Sequence, residues 1–199
     1  QQFSTNTSSN VLLGLIGETG NSAGVQYTNR ALGLSPKVAS YQYDKSHLVP
    51  FGEFIPPGFH WFVNAFRVPM SDFARGTLEQ NPFSVIRSGK DTIHAAITIC
   101  YEDVFGGELA SRIHYSSKPV NLLINMTNLA WFGDSQAPAQ QLRLSQLRSL
   151  ETGLPALRAT NTGATAIIDN KGYVVAHAPH FVQTTLDGTA QGYTGSTPY

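Results

Sequence analysis

Two short apolar runs limit the fold of this chain more than any other feature. Residues 92–100, TIHAAITIC, read as a strand. Residues 120–128, VNLLINMTN, read as a second, near-continuously apolar strand of the kind buried on both faces. Between them EDVFGGELASRIHY (102–115) reads as a helix, and PAQQLRLSQLRSLETGLP (138–155) follows as another. In that second helix Leu142, Leu144, Leu147 and Leu150 form a broad stripe expected in the core. PALRATN (155–161) and TAIIDNKGYVVAHAP (165–179) read as further strands, with a turn at Asp169-Asn170-Lys171-Gly172. Strands alternating with helices and then a hairpin predict an α/β layered fold with a mixed sheet.

Ahead of this block, VLLGLIG (11–17) reads as a buried strand stopped by Gly17, and residues 27–34 read as another. KVASYQYDKSHLVPFGEF (37–54) predicts a strand that passes into a loop broken at Pro50. Residues 1–10 are polar and expected to form an arm; residues 191–199 are rich in Gly, Thr and Ser and expected to be irregular. The segment 54–80 is long and dense in aromatics and prolines, including Phe54, Ile55, Phe59, Trp61, Phe62, Phe66, Val68 and Met70. It reads equally as a buried packing loop or as an apolar lid that meets acyl chains or a bilayer face.

A chain of 199 residues suits one domain. Thirteen basic and thirteen acidic side chains cancel without any block of like charge, which argues against a nucleic-acid partner. Charged residues make up 13% of the chain against a typical quarter, so membrane or subunit contact fits the surface. One cysteine excludes an internal disulfide framework. No run of about 18 apolar residues occurs, so no membrane-spanning helix is expected within these residues. The start without Met and the end at TGSTPY read as cut edges of a longer protein.

That single cysteine, Cys100, ends the first apolar run and is followed at once by Tyr101, Glu102 and Asp103. Free cysteines most often pack as small hydrophobes. A cysteine where a strand passes into a helix start instead meets free backbone N–H groups and a helix dipole, which favour a thiolate and an oxyanion hole. A thiol nucleophile needs a base and a cation, and YDKSHLVPFGEF supplies Lys45, His47 and Glu53 close together. Spacing alone does not rank Lys45 above His47.

Three separated strings, YDKSHLVPFGEFIP, ITICYEDVFG and TNLAWFGDSQAPAQQLRLSQLRSLETGLPALRATNTGATAIID, together resemble the nitrilase-like (carbon-nitrogen hydrolase) domain of the apolipoprotein N-acyltransferases. The order and intervals agree from about Val11 to the C-terminus. The resemblance implies a nitrilase-like α-β-β-α sandwich with mixed sheets, here a partial domain over 1–199 without its first strand and helix, and with the membrane-spanning part outside the chain. It implies transfer of an acyl chain from a phospholipid donor to the N-terminal amine of an apolipoprotein's diacylglyceryl-cysteine, through a cysteine thioester and without a cofactor or metal. The setting it implies is the bacterial inner membrane, with the domain facing the periplasm.

Carried over residue by residue, the nucleophile falls on Cys100, the triad lysine on Lys45, and supporting carboxylates on Glu53 and Glu102, which would hold Lys45 or the incoming amine. Tyr101, Trp131 and Phe51 are the expected substrate-binding residues, although Trp131 read alone serves equally as core filler. His47 is left with a packing or hydrogen-bonding role. The family's triad glutamate belongs upstream of the strand that VLLGLIG resembles, and the ten residues before Val11 contain no acid, so the general base is expected outside the chain. Leu129 stands where the family often has Asp. The competing readings are a soluble nitrilase-superfamily amidase acting on small amides and a non-catalytic fragment of the fold.

Overall fold

A computed structural model describes residues 1–21, 24–36, 38–56, 73–86 and 91–199. The elements in chain order are α1 (Gln2–Thr7), β1 (Val11–Asn21), β2 (Gly24–Leu34), β3 (Tyr41–Asp44), β4 (Phe83–Val85), β5 (Ile93–Ile99), α2 (Gly106–His114), β6 (Leu122–Thr127), α3 (Ala137–Thr152), β7 (Ala156–Thr160), β8 (Ala166–Ile168) and β9 (Val174–His177). A 3₁₀ turn, Cys100–Val104, joins β5 to α2.

The strands form two sheets. β1, β2 and β3 make an antiparallel sheet, and the other six lie in the order β4-β5-β6-β7-β8-β9. The second sheet is mixed: β5, β6 and β7 run parallel, while β4, β8 and β9 join antiparallel. The parallel steps are where helices α2 and α3 intervene, as a crossover connection requires.

Alternation along β5 explains the layering. Ala95 and Ile97 point into a core shared with Ala31 and Tyr43 of the three-stranded sheet, together with Phe83 and Leu122. Ala96 points the other way, into a core with Leu109 of α2, Leu123, Ala156 and Ile168, against which Leu142 of α3 packs. The six-stranded sheet is therefore covered on both faces, by the second sheet and by the two helices, which is why its central strands read as nearly unbroken apolar runs. Truncating the fully buried Ile97 to Ala would cost about 2–5 kcal/mol.

The structure departs from expectation in several places. Residues 2–7 form a short helix in place of an arm. Gly17 does not stop β1; the strand continues to Asn21, paired along its whole length with β2 from Val11↔Leu34 to Asn21↔Gly24. Gly17 is instead a place of close approach, since a Cβ there would lie 2.5 Å from Arg30 Nε. The single helix expected over 102–115 divides into the 3₁₀ turn and α2, with Phe105 between them.

The leucine stripe of α3 is the largest correction. Leu147 and Leu150 are 46% and 58% exposed, and the buried residues of the helix are Pro138, Ser145, Arg148 and Ser149. Leu142 packs against the core, but the rest of the inward face is polar because it meets Asp103 of the 3₁₀ turn and Arg158 of β7. Of the aromatic segment, Phe54 and Ile55 are described, with Arg75 stacked 4.5 Å over the Phe54 ring; Phe59, Trp61, Phe62, Phe66, Val68 and Met70 lie outside the described residues.

Candidate active site

The carboxyl ends of β5, β6 and β7 converge on one region with the segment after β3. Lys45 follows β3, and its side chain is fully buried. Its Nζ donates to both oxygens of Glu53, at 2.8 and 2.7 Å. Glu53 returns on a turn in which Gly52 and Glu53 donate their N–H groups to the Val49 carbonyl. Its carboxylate also accepts from the Val49 N–H and from Asn29 Nδ2 of β2. Burying an ammonium is costly unless it is paired and hydrogen-bonded, and the bidentate carboxylate meets that condition.

Cys100 sits at the first position of the 3₁₀ turn with φ of 54°, the left-handed region that a Cβ-bearing residue enters at a cost of about 1–2 kcal/mol. The strain is held by Glu102. That carboxylate is buried and accepts from the Ile99 N–H at 2.7 Å, closing the turn around Cys100. It accepts as well from the Ser46 N–H (2.7 Å), the Ser46 hydroxyl (2.6 Å), the His47 N–H (3.2 Å) and the Tyr43 hydroxyl (2.9 and 3.0 Å). One carboxylate thus ties the two residues after Lys45 to the residue before Cys100. Glu53 is the carboxylate on the lysine; Glu102 is bonded to the backbone that carries the lysine and the cysteine.

Tyr43 is fully buried between Glu102 and Arg112, whose Nη1 donates to the tyrosine hydroxyl at 3.1 Å and whose guanidinium lies 4.9 Å over the ring. Burial and then the Glu102 charge push the Tyr43 hydroxyl well above the usual phenol range, so it stays a donor. His47 is occupied elsewhere: its Nε2 lies 2.5 Å from Glu108 Oε2, and its ring stacks on Phe105 at 3.8 Å. Tyr101 meets the same Phe105 edge-on at 5.2 Å. Trp131 is 76% exposed and so is not core filler, and Phe51 is 45% exposed at φ of 60°.

A cleft of about 510 Å³ opens beside these residues, lined by Leu15 and Ile16 of β1, Asn29, Ile99, Met126 and Asn161. Its size is that of a small-ligand site. It joins Asn29, which holds Glu53, to Ile99, which precedes Cys100. Among the described residues no cluster of three or more His, Cys, Asp or Glu side chains suits a metal ion.

The carbon-nitrogen hydrolase family model matches residues 1–199. The chain belongs to the carbon-nitrogen hydrolase family. Among curated members, it is 48% identical over 186 residues to the apolipoprotein N-acyltransferase of Ralstonia nicotianae, covering 93% of this chain and 35% of that protein. It is 44% identical over 191 residues to that of Nitrosomonas europaea, covering 95% and 36% respectively. Against that of Chromobacterium violaceum the identity is 45% over 175 residues, covering 87% of this chain and 32% of the relative. The chain thus spans about a third of the length of the curated relatives it matches.

Several residues of this candidate site were not foreseen from sequence. Asn29 and Tyr43 reach the two glutamates from β2 and β3. Behind Cys100, Thr98, Asn125 and Arg158 stand in register across the three parallel strands, all buried. The arginine alone carried a readable signal, a charge inside an otherwise apolar strand, which demands a buried partner.

Proposed function

We propose that the complete protein moves an acyl chain from a membrane phospholipid to the N-terminal amine of an apolipoprotein's diacylglyceryl-cysteine, with Cys100 carrying the acyl group as a thioester. The observation that carries this reading is the buried Lys45–Glu53 pair, joined through Glu102 to the strained turn that holds the only thiol in the chain. The relatives' name, apolipoprotein N-acyltransferase, supports N-acylation of an apolipoprotein. The exposed Trp131 and Phe51, with Tyr101, are the proposed contacts for the acyl chain and its donor. The proposed setting is the bacterial inner membrane with this domain on the periplasmic side; among the described residues no helix is long and apolar enough to cross a membrane.

In the first half-reaction the Cys100 thiolate attacks the ester carbonyl carbon, and the oxyanion so formed is stabilised by the Lys45 ammonium and the N–H after Cys100. Collapse breaks the ester C–O bond, and the lysophospholipid alkoxide takes the proton that the general base removed from the thiol. In the second half-reaction the acceptor amine attacks the thioester, gives its proton to the base, and expels the Cys100 thiolate as the amide forms. Glu53 holds Lys45 in place through both carboxylate oxygens. The proposed base is a glutamate from a part of the protein other than residues 1–199.

Intact-mass spectrometry of the full-length enzyme with phospholipid vesicles tests the reading. The expected result is an acyl adduct that hydroxylamine removes and that Cys100→Ala abolishes. An adduct that persists in Cys100→Ala refutes it, and turnover of small amides without any adduct from phospholipid favours an amidase.

A further inference from the structure

The polar side chains behind Cys100 form one connected array ending at its sulfur. Arg158 of β7 is buried, and its Nη1 donates to Asn125 Oδ1 at 3.0 Å, Ser145 Oγ at 2.7 Å and Asp103 Oδ2 at 3.3 Å. Asp103 is held in turn by the hydroxyls of Thr98 at 2.7 Å and Ser145 at 2.5 Å. Members come from β5, β6, β7, the 3₁₀ turn and α3, so the guanidinium is held through its terminal nitrogens. The other terminal nitrogen, Nη2, donates to Gln141 Oε1 at 2.8 Å, while Nε is buried without a hydrogen-bond partner.

That last contact decides the orientation of the Gln141 amide. An arginine can only donate, so the Gln141 oxygen must face it and the amide nitrogen must face away. Facing away, Gln141 Nε2 meets Cys100 Sγ at 3.9 Å. We propose that Gln141 is a built-in donor to the Cys100 sulfur, stabilising the thiolate that attacks the acyl donor and that leaves in the second half-reaction, and that Arg158 is its positioning residue. This rests on the reading of Cys100 as the acyl carrier. The geometry belongs to α3 and β7, elements separate from those that carry Lys45 and Glu53.

Among the described residues the charged groups around the turn include Glu102 and Asp103 on the turn itself, Lys45 and Glu53 after β3, and Arg158 of β7. They also include Arg148 of α3, which donates to the Val104 carbonyl at 3.4 Å, and Arg112 of α2, which donates to the Ile97 carbonyl at 2.8 Å. Burial holds the Arg158 guanidinium below its usual range, and the charges of Asp103 and then of a Cys100 thiolate draw it back up. A thiolate and a charged Arg158 therefore favour each other, with Gln141 as the bridge between them.

Alkylation of Cys100 by iodoacetamide in the full-length enzyme, followed against pH and read at the Cys100 peptide by mass spectrometry, reports its thiolate. The informative variants are Gln141→Leu, which lacks any donor, and Gln141→Glu, which keeps an acceptor for Arg158 but presents no N–H to the sulfur. Both should lower the second-order rate at pH 7 about tenfold or more, the worth of one hydrogen bond to a charged group, and move the inflection about one pH unit upward. Gln141→Glu retains the Arg158 contact, so its unfolding midpoint should stay at or above the wild-type value while its reactivity falls. A merely structural glutamine would give the reverse. Wild-type rate and inflection in both variants overturn the proposal. The assay needs no acyl donor, so it stands apart from the acyl-adduct experiment: an unchanged profile refutes the role of Gln141 even where the adduct forms, and a shifted profile supports it even where no adduct appears.

Discussion

Replacing Glu102 gives the sharpest test of how the site is held together. In Glu102→Gln the amide oxygen can take the place of Oε1 and keep the bonds from the Ser46 N–H, the Ser46 hydroxyl and the His47 N–H. The amide nitrogen then occupies the place of Oε2 and confronts the Ile99 N–H, a donor facing a donor across a contact of 2.7 Å. The flipped amide is worse, because three donors would face the –NH₂ group. One buried N–H left unsatisfied costs about 1–3 kcal/mol. Glu102→Ala orphans the N–H groups of Ser46, His47 and Ile99 together, for about 3 kcal/mol or more.

Urea unfolding followed by circular dichroism at neutral pH measures both variants, with an unchanged slope required for the comparison. The expected order is wild type, then Glu102→Gln, then Glu102→Ala, and alkylation of Cys100 should slow in the same order as the turn relaxes. A Glu102→Gln protein within about 0.5 kcal/mol of wild type would refute this reasoning. So would a Glu102→Ala protein no less stable than Glu102→Gln. Either result would return Glu102 to the role of a carboxylate poised for the incoming amine.

Two further outcomes are expected. Asp44 accepts from Arg30 at 2.7 and 2.8 Å and from Thr28 at 2.7 Å; burial raises its pKa, but these donors outweigh burial and leave it below the ordinary 3.8. The unfolded chain therefore takes up the proton first, so the stability from this clamp is complete above that ordinary value and is lost as pH falls through the lower, folded one. The gap in urea midpoint between wild type and Asp44→Asn should close below about pH 4; a gap constant from pH 7 to pH 2.5 would contradict the assignment. Leu147→Ser and Leu150→Ser, at exposed positions on α3, should each change stability by no more than about 0.5 kcal/mol. A loss near the 2–5 kcal/mol of a core leucine would restore the leucine stripe to the interior.

The strands were legible in sequence where both faces of a strand are apolar, and misread where the faces differ. β5 and β6 announce themselves because Ile97 and Ile124 serve the core between the sheets while Ala96 and Leu123 serve the core beneath the helices. α3 misleads because only Leu142 among its leucines packs against the core, beside the buried Ser145 and Ser149, while Leu147 and Leu150 face outward. Ser145 is buried because Asp103 and Arg158 lie opposite, and Arg148 because it donates to the Val104 carbonyl and to Glu151, contacts that depend on how the helix lies across β5, β6 and β7. The same reason separates the candidate site residues. Lys45 and Glu53 lie eight residues apart on one turn, so a local string could suggest their partnership. The approach of Gln141 to Cys100 spans 41 residues and exists only because Thr98, Asn125 and Arg158 fall in register on parallel strands. An arginine in PALRATN signals a buried counter-charge; which residue stands between that arginine and the thiol is decided by packing.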